Sequence, residues 1–261
     1  MRPPGRSWLR AEPAGPGSTR LLLLAHSGAG AASFTRWLGL FGPGIGLVRV
    51  QLPGREDAAA ETPARRLPGV VDPLLAELTP LTSAPLALYG HSMGALVAFE
   101  LARALTAAGT APVHLFVSGR RAPHQPNRRP RVDRLPDEEF VAALERMGAA
   151  ERVARTAAFL RYAIRVTRAD LELSEEYDYQ SSPRLGCPVT GFYGDGDLVV
   201  DRDQVEAWQA ETDGPFALHT FPGTHFFHQR HREAIAQIMG EALAGSPAAV
   251  QAVPAGTEVA Q

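Results

Sequence analysis

The segment Gly90–Gly94 (Gly-His-Ser-Met-Gly) follows the apolar run 85–89 and precedes an alanine-rich stretch. This order predicts a strand that runs through a sharp turn into a helix. Such a turn exposes the hydroxyl of its central serine, and the small residues beside it let strand and helix pack closely. Because chance matches to G-x-S-x-G are common, the predicted context rather than the pattern identifies Ser92 as a candidate nucleophile.

A serine hydroxyl needs a base that removes its proton and an acid that orients the base. In parallel sheets with this kind of turn, the acid and then the histidine follow the serine, in loops after later strands. Of the 8 histidines, His225 lies just past the last predicted strand, and we interpret it as the base. Asp197 follows the penultimate strand and is preferred as the acid over Asp195, which suits the turn itself. The alternative that both aspartates serve only the turn stays open.

An acyl-transfer site also needs two backbone N–H donors that are in place for the tetrahedral oxyanion. Met93, the residue after the nucleophile, is predicted to give one. Ser27 is predicted to give the other, because it lies in the glycine-containing turn after the first core strand. That turn lacks the GxGxxG spacing, and the chain has no lysine, so a phosphate-binding loop is excluded.

The composition is that of an ordinary globular protein: 261 residues, 45% hydrophobic, 21% charged and a formal net charge of -2. These values give no reason to expect nucleic-acid or membrane binding. The N-terminal region shows no secretion signal, so we expect a cytoplasmic protein and, by default, a monomer. Since Cys187 is the only cysteine, a disulfide within the chain and a cysteine metal cage are excluded. We expect neither a metal nor a cofactor.

Apolar runs alternate with helical patterns, which predicts an α/β fold with a mainly parallel sheet flanked by helices. We expect a single domain over 1–245, with a helical lid inserted at about 120–183, and a disordered tail over 246–261. The predicted strands are Leu21–Ala25, Gly46–Gln51, Leu86–Tyr89, Val113–Ser118, Val189–Tyr193 and Phe216–Phe221. The predicted helices are Leu67–Leu78, Met93–Ala108, Pro136–Met147, Ala150–Arg165, Thr167–Tyr177, Arg202–Glu211 and Gln229–Ala244.

In their order along the chain, these motifs resemble those of the stand-alone (type II) thioesterases that accompany modular polyketide synthases and nonribosomal peptide synthetases. The resemblance covers roughly residues 8–240, and the segment Gln51–Glu56, which matches the family's Q-x-P-G-R-E, is its most discriminating part. The other matches are His26–Gly30 with Trp37, Gly90–Gly94 with Phe99-Glu100, Ser118–Arg120, Arg168–Asp170 with Tyr177, Gly194 with Asp197, and Phe221–Phe227.

The resemblance implies an α/β-hydrolase fold and an acyl substrate in thioester linkage to the phosphopantetheine arm of an acyl or peptidyl carrier protein. Ser92 would attack the thioester, His225 would relay the proton, Asp197 would orient the imidazole, and water would release the acid. The reaction would clear stalled or wrongly primed acyl chains. The lid departs from the family pattern over Ala150–Thr167, so the acyl-chain preference does not transfer.

The predicted lid is unusually basic. From Arg120 to Arg168 there are 12 arginines against 6 acidic residues. Because carrier proteins are typically acidic around their phosphopantetheine serine, this belt could dock one by charge complementarity. A solvated basic helix face explains the same count.

Three other functions stay open from the sequence alone. An esterase or lipase would use the same turn and triad, and only the matches outside the triad argue against it. A chain-releasing cyclase would replace water by a nucleophile within the substrate. A catalytically silent hydrolase-fold binding protein would not need the complete set of Ser92, Asp197 and His225.

Overall fold

The computed structural model describes residues 6–149 and 157–245. Seven strands form one sheet, and the predicted parallel α/β architecture is confirmed. The strands are β1 (Leu9–Ala11), β2 (Thr19–Leu24), β3 (Ile45–Val50), β4 (Leu86–His91), β5 (His114–Ser118), β6 (Val189–Gly194) and β7 (Phe216–Phe221). Their order is β1-β3-β2-β4-β5-β6-β7. Only β1 is antiparallel to its neighbour; the other five pairs are parallel.

The helices cover both faces of this sheet, which suits a parallel sheet because its strands are buried on both sides. The helices are α1 (Pro68–Leu78), α2 (Met93–Ala107), α3 (Asp137–Leu144), α4 (Ala157–Glu175), α5 (Arg202–Glu206), α6 (Phe227–Arg230) and α7 (Arg232–Ala244). Short 3-10 turns lie at Ala31–Trp37, Glu56–Ala58, Thr79–Leu81 and Ala207–Glu211, and a π-helical turn lies at Glu145–Ala149. Among the described residues, no helix combines the length and apolarity needed to cross a membrane.

The apolar run of β2 shows how the sheet separates two cores. Leu22 and Leu24 pack with α1 and α2 on one face, whereas Leu21 and Leu23 pack with α7 on the other. Successive side chains of a strand point to opposite faces, so an uninterrupted apolar run fits a central strand. The central strands are therefore firmly anchored, and the loops at their ends are held in place.

The sheet topology places the predicted site residues at the carboxyl-terminal ends of the strands. Ser27 follows β2, Ser92 follows β4, Asp197 follows β6 and His225 follows β7. All four strands are parallel, so their carboxyl ends lie on the same side of the sheet. Ligands of open α/β sheets bind at the carboxyl-terminal ends of the strands.

Two helices, α3 and α4, lie between β5 and β6, where the lid is predicted. The predicted break at residue 166 is wrong: α4 runs without interruption from Ala157 to Glu175. Val166, Ala169 and Leu173 are buried at spacings of three and four, so packing holds the helix together across Thr167. Residues 150–156 of the predicted lid and the predicted tail 246–261 lie outside the described residues.

The sequence interpretation missed one strand, β1. It has only three residues, and it lies antiparallel at the edge of the sheet against β3. Three residues are too few to show the alternation from which a strand is predicted.

Candidate active site

Ser92 occupies a strained turn between β4 and α2. Its φ of 55° and ψ of -117° lie where residues other than glycine are uncommon. Gly90 and Gly94 make the turn possible, since a Cβ on Gly90 would overlap the Gly94 backbone and a Cβ on Gly94 would overlap the Leu24 carbonyl. The turn therefore holds a half-buried serine at the end of the central strand, in the geometry of a nucleophile elbow.

The structure brings together the three side chains that the sequence singles out. His225 Nε2 lies 3.0 Å from Ser92 Oγ. On the other side of the imidazole, His225 Nδ1 lies 2.8 Å from Asp197 Oδ2. With the Nδ1–H donated to the carboxylate, Nε2 can accept the proton of the serine hydroxyl. This is the hydrogen-bond pattern of a nucleophile, a base and an orienting acid.

Asp197 and Asp195 have different surroundings. The Asp197 side chain is fully buried, and its Oδ1 accepts the backbone N–H of Val199 at 2.7 Å. Its carboxylate is thus fixed, with the second oxygen directed at His225. Asp195 is exposed, and its Oδ1 accepts the Gly223 N–H at 2.9 Å. Asp195 therefore tethers the loop that carries His225, while Asp197 contacts the imidazole.

Further imidazoles lie directly behind His225. The ring of His91 is 5.0 Å from that of His225 and stacks on that of His228 at 3.7 Å. Burial, with the neighbouring His228, His225 and His26, holds the pKa of His91 well below its ordinary value. His91 is therefore neutral, and its Nδ1 lies 2.9 Å from Ser118 Oγ. Its role is to pack behind the base without adding a charge there.

The two predicted oxyanion donors follow β2 and β4, which are neighbouring parallel strands of the sheet. Met93 is the first residue of α2, so its N–H has no acceptor within the helix. Ser27 lies in the turn after β2, where the next two N–H groups are occupied: that of Gly28 by Asp170 and that of Ala29 by the His26 carbonyl. Within the described residues, the Ser27 N–H has no hydrogen-bond acceptor. The arrangement leaves both backbone N–H groups available to an oxyanion.

The segment Gln51–Glu56 contacts the turn after β2. The sequence did not reveal this contact. Arg55 forms a bidentate ion pair with Asp170 of α4, at 2.6 and 2.7 Å. Both side chains are 2% exposed. Arg55 and Asp170 each lie in a motif noted in the sequence. The two residues are 115 positions apart, and nothing in the sequence indicates that they pair.

A cavity of about 830 Å³ lies on the flank of the domain, between α1, α2 and the C-terminal end of α4. Leu67, Val71, Ala104 and Leu173 contribute to its apolar wall, and its lining includes neither Ser92 nor His225. The cavity is thus separate from the serine turn. Among the described residues, no group of three or more His, Cys, Asp or Glu is arranged to hold a metal ion.

Half of the ten described arginines of the predicted lid form ion pairs. Five of them contact carboxylates: Arg128, Arg129, Arg131, Arg134 and Arg168. Arg120 is buried. Arg146 and Arg161 are exposed and form no ion pair with the described residues, while Arg152 and Arg155 lie outside those residues. The free positive charge is therefore much smaller than the arginine count indicates.

Comparison with known proteins places this geometry in a family. Residues 19–243 match the family model described as a thioesterase domain. The gramicidin S biosynthesis protein GrsT of Aneurinibacillus migulanus is 37% identical over 226 residues, which covers 86% of this chain and 88% of that protein.

Solved structures agree with the sequence comparison. The type II thioesterase BorB from the borrelidin biosynthetic cluster superposes with a TM-score of 0.84 at 39% identity, over 90% of this chain and 97% of that one. ClbQ from the colibactin NRPS/PKS pathway superposes with a TM-score of 0.82 at 27% identity, over 87% of this chain and 97% of that one. The family match over residues 19–243 includes the strands β2 to β7 and the serine turn.

Proposed function

Because the chain belongs to the thioesterase family, we propose that Ser92, His225 and Asp197 hydrolyse acyl groups from the phosphopantetheine arm of carrier proteins. The enzyme is an editing thioesterase of the type II class, which serves polyketide or nonribosomal peptide biosynthesis by removing aberrant or stalled chains. The observation that carries the residue assignment is the continuous hydrogen-bonded chain from Asp197 through His225 to Ser92.

The first half of the reaction transfers the acyl group to the enzyme. His225 Nε2 takes the proton of Ser92 Oγ, 3.0 Å away, as the oxygen attacks the thioester carbonyl. The Met93 and Ser27 N–H groups stabilise the oxyanion of the tetrahedral intermediate. The carbon–sulfur bond then breaks, and the imidazolium gives its proton to the pantetheine thiolate. The ionised Asp197 stabilises the positive charge on His225 while it exists.

The second half releases the acid. His225 takes a proton from water as the water oxygen attacks the acyl-Ser92 ester, and the same two N–H groups receive the second oxyanion. The ester bond to Ser92 Oγ breaks, and Oγ regains its proton from His225. One thioester and one water thus become one carboxylic acid and one thiol, and this requires no cofactor.

The proposed partner is an acyl or peptidyl carrier protein. Two observations support it. Similar proteins come from the borrelidin biosynthetic cluster and the colibactin NRPS/PKS pathway. Arg146 and Arg161, in the middle of the region between β5 and β6, are exposed and free of ion pairs with the described residues. A carrier has an acidic surface around its modified serine, so unpaired cations in the region between β5 and β6 would favour its approach.

A hydrolysis panel tests the proposal. Acyl-carrier proteins, free acyl-pantetheine thioesters and simple esters of matched acyl length are compared with wild-type protein, Ser92→Ala, and Ser181→Ala as a control at an exposed serine. We expect the highest kcat/KM on carrier-bound thioesters, no turnover by Ser92→Ala and unchanged turnover by Ser181→Ala. Faster turnover of simple esters than of every carrier-bound thioester would indicate an esterase and overturn the proposal.

A labelling experiment separates an enzyme from a silent binding protein. A fluorophosphonate reacts with activated serines only, and we expect it to label wild type and Ser181→Ala but not Ser92→Ala. Labelling that persists in Ser92→Ala would place the nucleophile elsewhere. In the hydrolysis panel, a lactone as the main product would indicate that the enzyme cyclises its substrate in place of hydrolysing it.

A further inference from the structure

Side chains from other parts of the chain hold the turn that carries the Ser27 donor. Three of the backbone N–H groups that follow Ser27 are bound in this way. The Gly28 N–H donates to Asp170 Oδ2 at 2.7 Å, and the Ala31 N–H donates to Gln51 Oε1 at 2.8 Å. The Ala32 N–H donates to Glu56 Oε1 at 3.1 Å. The backbone of the turn is therefore fixed by external carboxylate and amide groups.

Asp170 differs from the other two groups, because it comes from α4, between β5 and β6. Its carboxylate is buried, and a buried carboxylate needs a compensating cation. Arg55 supplies that cation with two N–H···O bonds, and Arg55 Nη1 also donates to the Ala29 carbonyl at 3.1 Å. The pair thus joins the Gln51–Glu56 segment, α4 and the turn into one buried network.

The contact of α4 with the turn is also steric. Gly28 has a φ of 81°, which favours glycine, and a Cβ there would overlap the Thr167 hydroxyl of α4. The helix therefore lies directly against the peptide that follows Ser27. Since the Gly28 N–H is bound by Asp170, the orientation of the Ser27–Gly28 peptide depends on the position of α4.

We propose that Asp170, held by Arg55, is a positioning residue for the oxyanion hole. The Ser27 N–H belongs to the His26–Ser27 peptide, so Asp170 acts through the Gly28 N–H and the Ser27 backbone to fix this donor relative to Ser92. The donor is then in place only when α4 is seated on the turn. Oxyanion stabilisation depends on donors that need no reorganisation during the reaction. Asp170 touches neither the nucleophile nor the base, and the inference rests on the proposed hydrolysis at Ser92.

The test uses Asp170→Asn, in which one carboxylate oxygen is replaced by an N–H donor. Asp170 Oδ2 accepts from both the Gly28 N–H and Arg55 Nη1, and Oδ1 accepts from Arg55 Nη2. The amide has one oxygen and turns an NH₂ donor towards the guanidinium or the Gly28 N–H at the other position, so it cannot keep all three contacts. We expect kcat on an acyl-pantetheine thioester to fall by about tenfold to a hundredfold, with KM changed by less than about twofold, because misplacing an oxyanion donor affects the transition state. Glu172→Gln is the matched control: Glu172 lies on the same helix and pairs with Arg65, away from the turn.

Two inhibitors distinguish a misplaced oxyanion donor from a general loss of protein stability. A trifluoromethyl ketone analogue of the thioester forms an oxyanion when Ser92 adds to it, whereas an analogue with a methylene in place of the carbonyl does not. We expect Asp170→Asn to weaken binding of the ketone by about tenfold or more, in proportion to the loss in kcat, and to leave binding of the methylene analogue unchanged. Equal weakening of both analogues would overturn the proposal.

A second variant covers the case in which Asp170→Asn fails to fold. Replacing the ion pair by apolar residues of similar size, as in Arg55→Met with Asp170→Leu, removes the buried charges together. We expect this double variant to fold and to show the same loss in kcat and in ketone binding, because Gly28 has still lost its acceptor. Wild-type kcat in the folded double variant would show that the pair serves stability alone.

These outcomes are distinct from failure of the proposed function. If wild-type protein hydrolyses the thioester and Ser92→Ala does not, the function stands whatever Asp170→Asn does. If wild-type protein does not bind the ketone through Ser92, the function fails, and the inference fails with it.

Discussion

Gly94 lies so close to Leu24 that a Cβ on the glycine would overlap the Leu24 carbonyl oxygen. We therefore expect Gly94→Ala to displace the start of α2 from β2, with a loss of about 1–3 kcal/mol in unfolding free energy and a large loss of kcat.

Gly240 is a matched control, since it lies inside α7 and a Cβ there meets nothing within 4 Å. Gly240→Ala should raise the unfolding free energy by about 0.5–1 kcal/mol. Urea unfolding and a thioester assay on both variants measure these effects; equal behaviour of the two would contradict the role of close packing at the elbow.

The two aspartates after β6 should differ sharply in kinetics. Asp197→Asn keeps the shape of the side chain but removes the charge that orients His225, and we expect kcat to fall by about 10³–10⁴-fold. Asp195→Asn keeps an acceptor for the Gly223 N–H, so its kcat should stay within about threefold of wild type. Steady-state hydrolysis of one thioester by both variants provides the measurement. Comparable losses would mean that the acid has been assigned wrongly.

Stability should decline in mild acid because of His114. This residue is buried, its ring stacks on Phe116, and burial lowers its pKa to about 4. The unfolded chain binds a proton at His114 below about pH 6.5, whereas the folded chain does so only near pH 4, so stability falls as the pH drops through this window. From pH 7.5 to 5.5 this one residue should cost about 1.3 kcal/mol.

The comparison that isolates this effect uses His114→Phe with Thr190→Val, which removes the imidazole and its hydroxyl partner together. We expect the double variant to lose about 1.3 kcal/mol less than wild type between the two pH values in urea unfolding. Thr190→Val alone retains the imidazole and should keep the wild-type pH dependence. An identical pH dependence in all three proteins would rule out His114 as the source.

Carrier docking should depend on the arginines that are free rather than on the whole basic belt. Arg146 and Arg161 are exposed and without ion pairs to the described residues. Reversing both to Glu should lower kcat/KM on an acyl-carrier protein by about tenfold while leaving a small acyl thioester within about twofold, and the loss should shrink at high salt.

A double reversal of the same net charge at Arg36 and Arg230, both exposed and outside the region between β5 and β6, is the control for a general electrostatic effect. It should leave both substrates unaffected. If the Arg146 and Arg161 reversals weaken hydrolysis of both substrates equally, or of neither, these arginines do not dock the carrier.

Much of the fold and most of the geometry of the site could be predicted from the sequence, because local patterns specify them. The turn at Ser92 depends on its immediate neighbours, and the order of Asp197 and His225 along the chain follows from the topology of a parallel sheet. The five strands with buried apolar runs were predictable for the same reason, and the half-buried Phe216–Phe221 was predictable from its own apolar residues. The edge strand Leu9–Ala11 was not, since its pairing with β3 rather than its own pattern makes it a strand.

The rest required knowledge of which distant groups meet. Arg55 and Asp170 each belong to a recognisable motif, but their ion pair exists only because α4 lies on the turn after β2. The count of lid arginines overstated the free positive charge, because partners such as Asp201 and Asp203 lie at the start of α5, outside the lid. Charge pairing across the sequence is a property of the fold.

The seating of α4 on the Ser27 turn has a consequence for protein engineering. An exchange of the segment between β5 and β6, made to accept other acyl chains, would also remove Thr167 and Asp170, which lie against the Gly28 peptide next to Ser27. A graft that ends before Val166 keeps the Thr167 and Asp170 contacts with Gly28. A graft that extends past Asp170 also needs a compatible Gln51–Glu56 segment, and the two should then be transplanted as one unit.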